Sequence, residues 1–161
     1  MSKLKYLIIH CLDTPKGREV SKEELISWHT SPKPKGRGWK QVGYSDMIHL
    51  DGKLENLVKY DNDGWVDSGE ITNGAVGFNG EARHVAVVGG KGFKRTSDFD
   101  DVLTPEQFTT LQMYIKTFLM HHEDCEIGGH YQFNDGKECP GFDVTKYLKF
   151  VNVPQKNIYN G

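Results

Sequence analysis

The order of segments along the chain predicts an α/β protein, with a mixed central β-sheet flanked by helices. Residues 5–11 (KYLIIHC) and 84–88 (HVAVV) are short, branched and apolar, and read as buried strands. Helix-start signals stand at Ser21, Thr104 and Asp143. Strand and helix signals thus alternate, the pattern of layered α/β architecture.

Each element has its own warrant. The first strand ends at His10 and Cys11 and is broken by Asp13-Thr14-Pro15-Lys16-Gly17. Ser21 with Glu24 three residues on forms a capping box, predicting a helix to about His29, with Leu25, Trp28 and His29 lining its inner face. Residues 31–38 (SPKPKGRG) must be a loop. Residues 44–50 and 53–59, separated by Asp51-Gly52, predict a hairpin. Residues 60–83 are rich in Gly, Asn and Asp and predict irregular structure or a short helix. After the strand 84–88, residues 91–102 read as a polar loop. Thr104-Pro105-Glu106-Gln107 then opens a long helix with a broad apolar face. Residues 126–130 predict a short strand ending at His130, residues 131–141 a loop, and 144–150 a last helix capped by Asp143. From Val151 the expectation is a loosely held tail.

The 161 residues suffice for one domain with one core, and no repeat or linker divides them. The formal net charge of −2 gives no reason to expect a nucleic-acid partner. No apolar run approaches the ~20 residues that span a bilayer, so no membrane association is expected. The apolar run after Lys3 and Lys5 is too short for a signal peptide and is interrupted by His10. The expectation is a monomer made in the cytoplasm without a leader. The three cysteines, Cys11, Cys125 and Cys139, are an odd and sparse set, unlike a disulfide framework.

Chemistry concentrates at strand ends. His10 closes one buried strand, His130 follows another, and Cys139 lies in the loop beyond. Two imidazoles and a thiolate suit Zn²⁺, and three protein ligands leave a fourth position open, as a catalytic site requires. From spacing alone the signal is weak, and ordinary strand-end histidines and an inert buried thiol are the stronger reading. Cys11 neighbours His10 but should point to the opposite face. His29 reads as packed or hydrogen-bonded, His49 and His84 as structural or surface residues, and His121-His122 with Cys125 as the polar end of the long helix.

The surrounding words narrow this. Gly129-His130, followed by Lys137-Glu138-Cys139-Pro140-Gly141-Phe142, resembles the C-terminal motif of zinc-type N-acetylmuramoyl-L-alanine amidases, the family of small phage lysozymes and peptidoglycan recognition proteins. Ile8-Ile9-His10-Cys11-Leu12-Asp13-Thr14 resembles its first motif. Trp28-His29, Gly38-Trp39 and residues 42–48 (VGYSDMI) with Asp51-Gly52 resemble its second. Gly77-Phe78-Asn79 with the strand ending at Gly89 resembles its third, and Thr104-Pro105-Glu106-Gln107 the start of its long helix. The likeness runs from about residue 5 to 150. Two departures mark it: a third block shortened around residues 74–77, and Tyr131-Gln132-Phe133 where a charged pair is common after the histidine.

The resemblance implies an amidase/peptidoglycan recognition protein-like fold spanning residues 1–161 as one catalytic domain, without a separate wall-binding domain. It implies Zn²⁺ on His10, His130 and Cys139, with Tyr44 and Lys137 as catalytic helpers. The implied substrate is peptidoglycan, cut between N-acetylmuramic acid and the L-alanine of the stem peptide. A phage endolysin is the expected type, reaching the wall or periplasm once the membrane is opened. The alternative is a recognition module that binds muropeptide without cutting it.

Overall fold

The elements, in chain order, are β1 (Ser2–Lys3), β2 (Tyr6–Cys11), α1 (Lys22–Thr30), β3 (Asp46–Ile48), β4 (Leu54–Asn56), β5 (Trp65–Val66), β6 (Ala82–Val87), α2 (Phe99–Val102), α3 (Pro105–His121), β7 (Glu126–Gly129) and α4 (Val144–Phe150) in a computed structural model describing residues 1–161. The main sheet runs β4-β3-β6-β2-β7, with β3 antiparallel to β4 and every other pairing parallel. The expected mixed central sheet with flanking helices is the architecture found.

Alternation along β2 divides its two faces. Leu7, Ile9 and Cys11 enter the larger core with Val85, Val87 and Ile127, under Leu111, Ile115 and Phe118 of α3 and Val144, Tyr147 and Leu148 of α4. Ile8 packs on the opposite side with Ala75 and Ala82, and a third cluster beneath α1 joins Leu25 to Val42, Met47 and Val88. Leu7, Ile8 and Ile9 are fully buried. Each contributes roughly 1.5–3 kcal/mol by leaving water.

The capping signals are realised as read. Ser21 and Thr104 each close a capping box, and the Asp143 side chain accepts the Lys146 amide. Gln107 does more than complete its box. Its Oε1 accepts the Thr104 N–H, while its Nε2 donates to Val88 O at 2.9 Å and Ile48 O at 3.3 Å. It thereby ties the start of α3 to the ends of β6 and β3.

Several boundaries move. The hairpin strands shrink to three residues each, because a turn at residues 49–52 replaces the expected two-residue connection. In it the Gly52 amide donates to His49 O, and Gly52 sits at φ +85°, where glycine is favoured. Pairing of Tyr6 with Ala82 starts β6 two residues before His84. The expected polar loop 91–102 ends in α2, capped by Asp98. β7 stops at Gly129, and His130 opens a 3₁₀ turn (His130–Gln132).

The loosely held tail is overturned. Val151, Val153 and Ile158 are buried in the main core. Asn157 donates to both Glu123 O and Cys125 O at 2.8 Å, and the Tyr159 amide donates to Ile127 O, so the tail runs along the edge of β7.

Candidate metal centre

His10, His130 and Cys139 are brought together at the C-terminal end of the parallel strands, one donor atom from each lying within 4.8 Å of the others. Alternation puts His10 on the face of β2 opposite the main core. Parallel pairing of Ile9 with Gly129 then places His130 one residue beyond the end of the register. The two imidazoles lie 4.6 Å apart, centroid to centroid. Cys139 arrives from the loop after His130, its Sγ 3.7 Å from His10 Nδ1. A tetrahedral zinc with ordinary bond lengths would hold such a nitrogen and sulfur about 3.6 Å apart. The donor set and its spacing therefore fit Zn²⁺.

The surroundings prepare these atoms. The Cys11 backbone N–H donates to Cys139 Sγ at 3.2 Å, a bond that favours a thiolate there. Burial, and the neighbouring His84 and His130, hold His10 well below the usual imidazole range. Burial and the nearby Lys137 charge bring His130 down to about 4. Both rings thus offer lone pairs at neutral pH. Burial pushes the Cys139 thiol well up, with further contributions from Cys11. Its proton must therefore leave as a cation binds.

Tyr44, one of the two expected helpers, is half-buried between two rings: its centroid is 4.9 Å from His10 and 5.3 Å from His29. Burial and the Cys139 sulfur raise its phenol well above the ordinary range, so it keeps its proton and acts as a donor. Lys137, the other, is exposed, and the two line the same groove. This open groove of about 330 Å³ also has His130, Cys139, Trp28, Arg37 and Trp39 in its lining.

Two supporting groups escaped the sequence reading. Arg95 clamps the loop that carries Lys137. Its Nη2 donates to Asp135 O at 2.7 Å and Lys137 O at 2.6 Å, its Nε meets Glu138 Oε2 at 3.1 Å, and its guanidinium lies over the Tyr131 ring. His84, read as a structural or surface residue, is fully buried, with its Nδ1 2.8 Å from His10 Nε2. Arg95 carries no sequence signal and His84 only that of its strand, since both act through contacts made across the fold.

The other histidines fall as expected. His29 accepts the Gly43 amide at Nδ1, and His49 bridges Glu19 and Glu55. His122 is buried beside Phe118, and His121 and His122 form no ligand group with Cys125. Cys11 packs in the main core, as its strand position required.

No family model matches the chain. The endolysin of Escherichia phage T7 is 29% identical over 141 residues, covering 88% of this chain and 83% of that protein. The N-acetylmuramoyl-L-alanine amidase LysC from Clostridium intestinale URNW superposes with a TM-score of 0.68 at 18% identity, over 95% of this chain and 88% of that one. Wild-type PGRP-LB of Drosophila gives 0.67 at 19%, over 100% and 88%. The chain has the type 2 amidase and peptidoglycan recognition protein fold, and phage endolysins are its relatives in sequence.

Proposed function

We propose that this chain is a zinc-dependent N-acetylmuramoyl-L-alanine amidase of the phage endolysin type, hydrolysing the amide between the lactyl group of N-acetylmuramic acid and L-alanine. The observation that carries this reading is the convergence of buried His10 with His130 and Cys139 at an open groove that Tyr44 also lines. Likeness to endolysins and to an amidase supports the same conclusion. The chain works as a monomer on peptidoglycan, with neither nucleic acid nor membrane as partner, and reaches the wall after the membrane is opened.

Zinc on those three residues would acidify a bound water and polarise the scissile carbonyl. The protein's own groups do the rest. His10 and His130 present neutral nitrogens, and Cys139 a sulfur held by the Cys11 amide. Tyr44 Oη keeps its proton and donates a hydrogen bond to the oxygen on which charge develops. Lys137 Nζ, a mobile point charge lining the same groove, stabilises that charge as well. Trp28 and Trp39 give apolar footing for the glycan or stem peptide.

The test is release of new N-terminal alanine from purified peptidoglycan, identified by mass spectrometry. Wild type should release it, while Cys139→Ala or a chelator should abolish release. Tyr44→Phe and Lys137→Ala should keep zinc and lose turnover. Saturable muropeptide binding without any cutting by the zinc-loaded protein would replace this reading with that of a recognition module.

A further inference from the structure

His84 and Asn79 belong to none of the roles assigned above, yet they form a hydrogen-bonded line that ends on His10. The line begins at a group whose chemistry is unambiguous. The Ala75 backbone N–H can only donate, and it donates to the Asn79 side chain at 2.8 Å, so the atom there is the amide oxygen Oδ1. His84 Nε2 lies 3.0 Å from that same oxygen. An oxygen cannot donate, so His84 Nε2 carries the hydrogen. The neutral ring then has a bare Nδ1, which sits 2.8 Å from His10 Nε2. His10 must therefore carry its hydrogen on Nε2. Its Nδ1 is left with a free lone pair, and that is the atom facing Cys139 Sγ at 3.7 Å.

We propose that His84 and Asn79 are positioning residues that fix His10 in the Nε2–H tautomer and aim its Nδ1 at the metal position, with Gly74 leaving the space the His84 ring needs. This rests on the reading of His10 as a metal ligand. The sheet supplies the geometry: Ile8 pairs with His84 and His10 with Ala86 across parallel strands, so the two imidazoles lie on one face, offset by one pleat. Gly74 supplies the room, because a Cβ there would fall on the His84 ring and against Gly43 O at 2.8 Å. His84 is fully buried, so no water competes for its nitrogens. Groups that orient a ligating imidazole in this way typically alter metal affinity by about 10–100-fold when removed.

Two measurements on the metal-free and zinc-titrated protein test this. Long-range ¹H–¹⁵N spectra of the metal-free wild type should show His10 protonated at Nε2 and His84 at Nε2. A His10 protonated at Nδ1 overturns the proposal. Zinc affinity, read by competition with a chromophoric chelator, should fall at least about tenfold in Asn79→Leu. Asn79→Asp keeps the acceptor oxygen and should stay within about threefold of wild type. Gly74→Ala should resemble Asn79→Leu. An Asn79→Leu protein with the wild-type melting temperature in chelator and wild-type zinc affinity also overturns it. If Asn79→Leu does not fold, the wild-type tautomer decides alone. A wild type that binds no zinc would refute the proposed function, while the spectra would still judge the relay.

Discussion

Replacing Asp46 by asparagine should destabilise the fold by about 3–5 kcal/mol, a large share of the ~5–15 kcal/mol a domain of this kind possesses. Asp46 is 2% exposed and lies two residues after Tyr44. Its Oδ2 accepts the phenols of Tyr60 and Tyr114, both at 2.6 Å, and its Oδ1 accepts Asn56 Nδ2 at 2.9 Å. Burial and the facing carboxylate raise the Tyr60 phenol to about 12, so it remains a donor. Asparagine keeps one acceptor oxygen and brings an NH₂. If the oxygen meets the two phenols, each bond loses its ionic partner, about 1 kcal/mol apiece. The NH₂ then opposes Asn56 Nδ2, which cannot turn away because it also donates to Ser45 O and Val58 O. That donor–donor conflict adds about 1–3 kcal/mol. Urea unfolding followed by far-ultraviolet circular dichroism measures the sum. At a slope of about 2 kcal/mol/M the midpoint should fall by roughly 1.5–2.5 M with the slope unchanged. A fall below about 0.5 M would refute the reasoning, meaning that the three bonds to Asp46 are not jointly required.

Two further outcomes are expected. Arg95→Met should release the loop holding Lys137 and lower kcat of muropeptide cleavage by about tenfold or more, because a small misplacement of a charge-stabilising group is amplified in rate; an unchanged kcat would mean the loop holds itself. His49 should make stability depend on pH. Burial opposes its charge, but the hydrogen bonds and charges of Glu19 and Glu55 prevail, so its pKa is raised in the fold. Its contribution is therefore complete below the unfolded pKa of about 6.5 and is lost as pH rises through the folded value. Glu55→Gln should destabilise by about 1 kcal/mol near pH 5.5, a figure discounted for partial exposure, and by little near pH 9. A difference independent of pH would show that the pair is not ionic.

The parts of the fold that were legible are those fixed by local chemistry. A capping box is a matter of four residues, so Ser21 with Glu24 and Thr104 with Gln107 appear in the structure as they appear in the sequence. β2 was legible because a run such as YLIIHC has few other ways to bury itself. β1 and β5 were not, since two-residue strands carry no period, and their pairing of Ser2 with Val66 is decided by what each meets in the fold. The tail was misread because its anchors are non-local. Nothing near Asn157 in sequence announces that Glu123 O and Cys125 O await its amide. In the site, the expected ligands and helpers stand in family-like words, whereas Arg95, which acts across 40 or more residues, stands in none, and His84 lies in such a word without any mark of its contact with His10.

The placement of the three site histidines follows from one alternation. On β2, Leu7 and Ile9 are fully buried in the main core, so the residues between and beyond them, Ile8 and His10, must face the other way. On β6, Val85 and Val87 belong to the same core, which turns His84 to the side of His10. On β7, Ile127 does the same, and His130, three residues on, emerges on that side. The direction of each ring is thus enforced by aliphatic neighbours one residue away. A slip of β2 by a single residue would carry His10 into the aliphatic core and Leu7 and Ile9 out of it, burying an imidazole without a partner. The core that stabilises the sheet therefore also fixes where the candidate ligands point. What the sequence could not supply was the pairing: parity assigns each histidine a face within its own strand, but only the registers Ile8 with His84 and Ile9 with Gly129 bring the three together.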